Sequence, residues 1–142
     1  MQGIYCLLVK VTRDIAVPIG ALGEVEFVKG LYGYVGSAQG GLEQRLAHHF
    51  SAHKTRRWHI DYLLAHPAVR PVGVYVRKAC RTEECRLAAS LAATQAPVVR
   101  FGCSDCRCLS HLYRLDKPDR LLQLGLRKLT IVQNKKNVAR SR

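Results

Sequence analysis

The stretch GLYGYVGSAQGGLEQRLAHHF, residues 30–50, decides the fold because its hydrophobic period changes halfway along. Residues 31–36 (LYGYVG) read as a strand, with Tyr32 and Tyr34 on one face by the two-residue alternation of extended chain. After Gly40 and Gly41, the residues Leu42, Leu46, His49, Phe50 and His53 recur at three- and four-residue steps, the period of a helix. Working outward, residues 4–11 (IYCLLVKV) and 25–28 (VEFV) are further β-branched, apolar runs. Gly20 and Gly23 mark a turn before the second run, and Lys29-Gly30 joins it to the next strand. An antiparallel sheet beginning at the N-terminus follows. A second short helix is expected over 58–65, stopping before His66-Pro67, because the residue ahead of proline is pushed out of helical geometry. Val72, Val74 and Val76 alternate as a strand, Thr82 is a candidate cap for a helix over 83–94, and 101–111 reads as a glycine- and cysteine-rich loop. The class is α+β.

The 142 residues suit a single domain with a short extension, and 48% hydrophobic content is enough to form a core. Lysine and arginine number 23 against 10 acids, a net charge of +13 that points to a polyanionic partner, nucleic acid ahead of a membrane surface. No apolar run approaches the roughly 18 residues of a spanning helix. The opening residues lack the basic start and small-residue cleavage site of a secretory leader, so a soluble, cytoplasmic protein is expected. Residues 117–142 carry eight lysines and arginines against Asp119 alone. We therefore divide the chain into a domain over 1–115 and a basic C-terminal extension over 116–142. The six cysteines fit free thiols in a reducing compartment better than three bridges, since Cys103, Cys106 and Cys108 crowd into six residues.

Between Glu43 and Asp61 the chain holds Arg45, Lys54, Arg56, Arg57 and four of its six histidines, and no acid. On a helix, Arg45, His48 and His49 are neighbours at i, i+3 and i+4. Arginine makes bidentate charge-assisted bonds to phosphate, and histidine moves a proton near neutral pH. The plainer reading, a solvated basic helix face, has equal claim from this helix alone. The glycines around Tyr34 weigh against it, because such turns let a ligand approach the backbone.

Gly3-Ile4-Tyr5, then Tyr34-Val35-Gly36, then Leu42, Arg45 and His49, resemble the signature of the GIY-YIG nuclease superfamily. The strings Tyr34-Val35-Gly36-Ser37-Ala38, Trp58-His59-Ile60-Asp61-Tyr62-Leu63, Phe101-Gly102 with Ser104-Asp105-Cys106-Arg107-Cys108, and Ser110-His111-Leu112 resemble its Uri-type branch, as does the pair Glu84-Cys85. The resemblance spans residues 3–115 and implies a small α+β domain, a three-stranded antiparallel sheet flanked by helices. It further implies hydrolysis of a phosphodiester bond with one divalent ion, Mg2+ or Mn2+. Tyr34 would then be the first candidate to take a proton from water, with Tyr5 positioning or sharing that role. Arg45 would stabilise charge on the phosphoryl group, His49 would assist proton transfer, and a glutamate on a later helix would hold the metal. Glu83 and Glu84 both qualify by type. Periodicity favours Glu84, which lines up with Leu87, Ala88 and Leu91, whereas Glu83 lines up with Arg86 and Ser90. The interval from Tyr5 to Tyr34 is long for the superfamily, so the first hairpin must be extended.

Lys54, Arg56, Arg57 and His59 are the expected nucleic-acid contacts, with DNA favoured over RNA. Cys103, Cys106, Cys108 and His111 offer four soft ligands, the number a structural zinc requires, although a loop of buried thiols is the simpler reading. His59 and Asp61 read either as an extension of the active site or as braces for their helix. Three functions are thus open: a metal-dependent endonuclease, a nucleic-acid-binding protein on the same fold without the chemistry, or a zinc-stabilised interaction module.

Overall fold

In a computed structural model that describes residues 3–51, 56, 58–104 and 106–129, the apolar run Gly3–Val11 forms strand β1. It is buried at every position but Lys10. Cover on both faces is why this strand reads as a continuous hydrophobic run rather than an alternation. Strands β2 (Ile15–Pro18) and β3 (Glu24–Phe27) pair with each other as a separate antiparallel ribbon. This ribbon fills the long interval between Tyr5 and Tyr34, so VEFV pairs with IAVP rather than joining the main sheet.

Strand β4 (Gly30–Ala38) leads through Gly40 and Gly41 into helix α1 (Leu42–Phe50), followed by helix α2 (His59–Leu64) and strand β5 (Val69–Arg77). Helix α3 (Thr82–Ala92) carries Glu83 and Glu84 in its first turn, where acids complement the helix dipole. Short strands β6 (Ala96–Pro97) and β7 (Leu112–Leu115) bracket the cysteine-rich loop, and helix α4 (Asp119–Gln123) precedes strand β8 (Arg127–Lys128). The main sheet is antiparallel, with six strands in the order β6-β7-β4-β1-β5-β8, wider than the three expected. The additions are β6, β7 and β8, strands of two to four residues too short to announce themselves by periodicity, with β6 and β8 at the edges.

The sheet divides two cores. On one face Tyr5, Leu7, Tyr34, Leu42, Leu46 and Ile60 pack beneath α1 and α2. On the other Ile4, Cys6, Val35, Leu87, Leu91 and Leu121 pack beneath α3 and α4. Burying each leucine side chain stabilises by roughly 1.5–3 kcal/mol. Residues 116–129, read from the sequence as part of an extension, pack onto this body: Leu121 and Leu126 are buried and Lys128 pairs with Tyr75. No helix among the described residues is long and apolar enough to cross a membrane.

Candidate active site

The register of β1 on β4 sets Tyr5 opposite Gly36 and Leu7 opposite Tyr34, which places both phenols on the face covered by α1. Tyr5 is fully buried. A Cβ at Gly36 would overlap the Tyr5 ring and hydroxyl, so the close approach requires glycine there. Helix α1 brings Arg45 and His49, one turn apart, over the same spot. Tyr5 Oη lies 2.7 Å from His49 Nε2. Burial raises the Tyr5 pKa against the opposing charge and hydrogen bond of Arg45, so the phenol keeps its proton. Tyr34 packs edge-on against His49 and Phe101. Its pKa stands well above the ordinary value, first through burial and then through Tyr5 and Glu84, with Arg45 opposing.

The guanidinium of Arg45 is fixed from two sides. Nη1 donates to Ser37 O at 3.1 Å, and Cζ lies 4.4 Å from the centre of the Trp58 ring. Trp58 is in turn held by Asp61, a fully buried carboxylate whose Oδ2 accepts the Trp58 backbone N–H at 3.0 Å. Oδ1 of Asp61 pairs with His48 Nε2 at 3.0 Å. Asp61 therefore braces the start of α2, the second of the two roles the sequence left open.

Glu84 reaches the same place from α3. It lines a cavity of about 360 Å³ together with Tyr34, Arg45 and Trp58. Glu83 instead pairs with Arg77 and Arg86. Two further depressions adjoin at Trp58, one of about 270 Å³ beside Arg45 and His48, the other of about 340 Å³ beside Tyr34 and His59. Tyr5, Tyr34, Arg45, His49 and Glu84 are thus gathered from two strands and two helices. His59 Nδ1 accepts the Gly102 N–H at 2.8 Å, and burial lowers its pKa. Gly102 has a φ of 76°, and a Cβ there would press on His111 and Tyr34. Arg56 is exposed, 5.7 Å above the Tyr62 ring. Lys54 and Arg57 lie outside the described residues.

Behind Glu84 is a second cluster. The ligand atoms of Cys85, Cys106, Cys108 and His111 all lie within 4.8 Å of one another, a set that could hold a metal ion. This corrects the expected set: Cys103 is replaced by Cys85. The Cys103 thiol turns to the Phe101 carbonyl at 3.5 Å, and α3 supplies the fourth corner. All six cysteines are free thiols. His111 links the cluster to the cavity, with Nδ1 3.0 Å from Glu84 Oε2 and 3.3 Å from Val35 O. Sequence reasoning overlooked Trp58 as a partner of Arg45 and Cys85 as a member of the cluster. Only the adjacency of Cys85 to Glu84 hinted at the latter.

A family model described as Domain of unknown function DUF123 matches residues 4–133. No curated protein and no solved structure matches the chain.

Proposed function

The chain belongs to the family described as a domain of unknown function, DUF123, and from the chemistry of its cavity we propose that it is a metal-dependent endonuclease of the GIY-YIG type, acting on nucleic acid and on DNA by preference. The observation that carries this reading is the convergence of Tyr34, Arg45 and Glu84 on one cavity, with the Tyr5–His49 pair directly behind. The three long strands β1, β4 and β5, adjacent in the sheet, are consistent with that superfamily's core. The net charge of +13 supports a phosphate-rich partner.

The donor set fits Mg2+ or Mn2+. Glu84 is the single carboxylate in a cavity otherwise lined by Tyr34, Ser37, Gln39, Trp58, two arginines and glycines, and hard cations that keep most of their waters bind in this manner. Such an ion, held by Glu84, would supply Lewis-acid polarisation of the phosphoryl group. Arg45 binds the phosphate and stabilises the charge that builds as water attacks phosphorus and the ester oxygen departs. Its pinning by Ser37 O and Trp58 keeps the guanidinium from reorganising during the step. Tyr34, protonated in the free protein, orients the attacking water through its hydroxyl. The Tyr5–His49 hydrogen bond offers a route by which the water's proton leaves the cavity. Arg56 and His59, with Lys54 and Arg57, belong to the strand-binding surface in this reading.

One observation favours the alternative, a nucleic-acid-binding protein without chemistry: Glu84 is engaged by His111 at 3.0 Å while both tyrosines hold their protons firmly. Incubation with labelled duplex, branched and single-stranded DNA and with RNA, with and without added Mg2+ or Mn2+, separates the two. Cleavage that needs the added metal and is lost in Glu84→Ala and Arg45→Ala is the expected result. Tight binding with no cleavage of any substrate would establish the binding protein.

A further inference from the structure

We propose that Cys85, Cys106, Cys108 and His111 form a zinc site that clamps helix α3 to the loop between β6 and β7, and that the bound ion orients His111 toward Glu84. The site lies outside the cavity and does not depend on the nuclease reading.

The argument is geometric. Three sulfurs and one imidazole nitrogen match a common tetrahedral zinc set, with Zn–S near 2.3 Å and Zn–N near 2.0–2.1 Å. Tetrahedral angles then require N···S edges of about 3.6 Å and S···S edges of about 3.8 Å. His111 Nε2 lies 3.5 Å from Cys106 Sγ and 4.0 Å from Cys85 Sγ, and every pair in the set is within 4.8 Å. Small side-chain rotations close such a set. The Cys103 thiol donates to the Phe101 carbonyl at 3.5 Å and neighbours Cys106 from outside the set.

The far side of the imidazole supplies an independent indication. A metal-bound histidine usually donates its other ring N–H to a carboxylate or carbonyl, which fixes its tautomer. His111 presents Nε2 to the sulfurs and Nδ1 to Glu84 Oε2 and Val35 O. Coordination at Nε2 places the proton on Nδ1, so the ring donates to Glu84 and holds that carboxylate at the cavity wall. The site also joins residues far apart in sequence. Cys85 is on α3, Cys106 and Cys108 are in the loop, and His111 is one residue before β7.

The test uses the full chain purified from zinc-replete cells. Elemental analysis is expected to give one zinc per chain in the wild type and in Cys103→Ser, and loss of bound zinc in Cys85→Ser. Should Cys85→Ser fail to fold, alkylation of the zinc-loaded wild type followed by mass mapping decides the matter. Cys85, Cys106 and Cys108 are expected to be protected, and Cys103 and Cys80 modified. Glu84→Ala is expected to weaken zinc binding about 10-fold or more in competition with a chromophoric chelator. Three results would overturn the proposal: no stoichiometric zinc in the wild type, zinc lost in Cys103→Ser, or a disulfide among Cys85, Cys106 and Cys108. Unchanged zinc affinity in Glu84→Ala would sever the link to His111. None of these readouts involves cleavage, so they stand apart from the nuclease assay.

Discussion

Gly36 lines the cavity, and the Tyr5 phenol occupies the space where a side chain there would begin. Gly36→Ala is therefore expected to cost about 1–3 kcal/mol through overpacking, read by urea unfolding. Unaltered stability would mean that Tyr5 sits elsewhere. His59 makes a different residue-scale prediction. Its folded pKa is below the ordinary value and its Nδ1 accepts from Gly102. The unfolded chain binds that proton more readily, so this residue's contribution to stability is present above about pH 6.5 and is lost as pH falls through the folded pKa. His59→Asn keeps an acceptor that cannot be protonated, and is expected to flatten the decline of the unfolding midpoint below about pH 6.5. Equal slopes in the two proteins would contradict this. At this scale, the side chains that meet at the cavity were legible one at a time, and the choice of Glu84 over Glu83 as its carboxylate followed from helical spacing. Trp58 and Cys85 were not legible, since each matters only through a neighbour that the fold delivers from distant sequence.

Among the elements, those with a sustained period were readable and those without were not. The change of period at Gly40-Gly41 located both β4 and α1, and the leucine spacing of α3 gave its buried face. In contrast, β6 and β8 are two residues long, and the leucines after 120 show no clean period. Their packing is set by the sheet face that receives them. Leu121, at the centre of α4, is fully buried against the α3 side of the sheet. Leu121→Ala is expected to destabilise the protein by about 2–5 kcal/mol in the same urea titration. A change near zero would return residues 116–129 to the status of an appendage.

For the molecule as a whole, the role proposed for the basic balance is to gather nucleic acid. Truncation after Leu129 removes Lys135, Lys136, Arg140 and Arg142 and spares α4 and β8. If these four contact phosphates, the slope of log affinity for DNA against log salt falls by about 3 to 4, with the unfolding midpoint unchanged. A slope identical to that of the full chain would remove the tail from the binding surface. The proposed hydrolytic role of the cavity rests on Tyr34, Arg45 and Glu84, drawn from strand β4 and helices α1 and α3. Its most direct test is the single-turnover cleavage rate of a labelled DNA duplex at saturating protein and Mg2+, for wild type against Arg45→Ala. We expect the wild type to cut and the variant to be slower by about 100- to 1,000-fold with duplex still bound. Equal rates in the two proteins would contradict the assignment of this cavity as the site of phosphodiester hydrolysis.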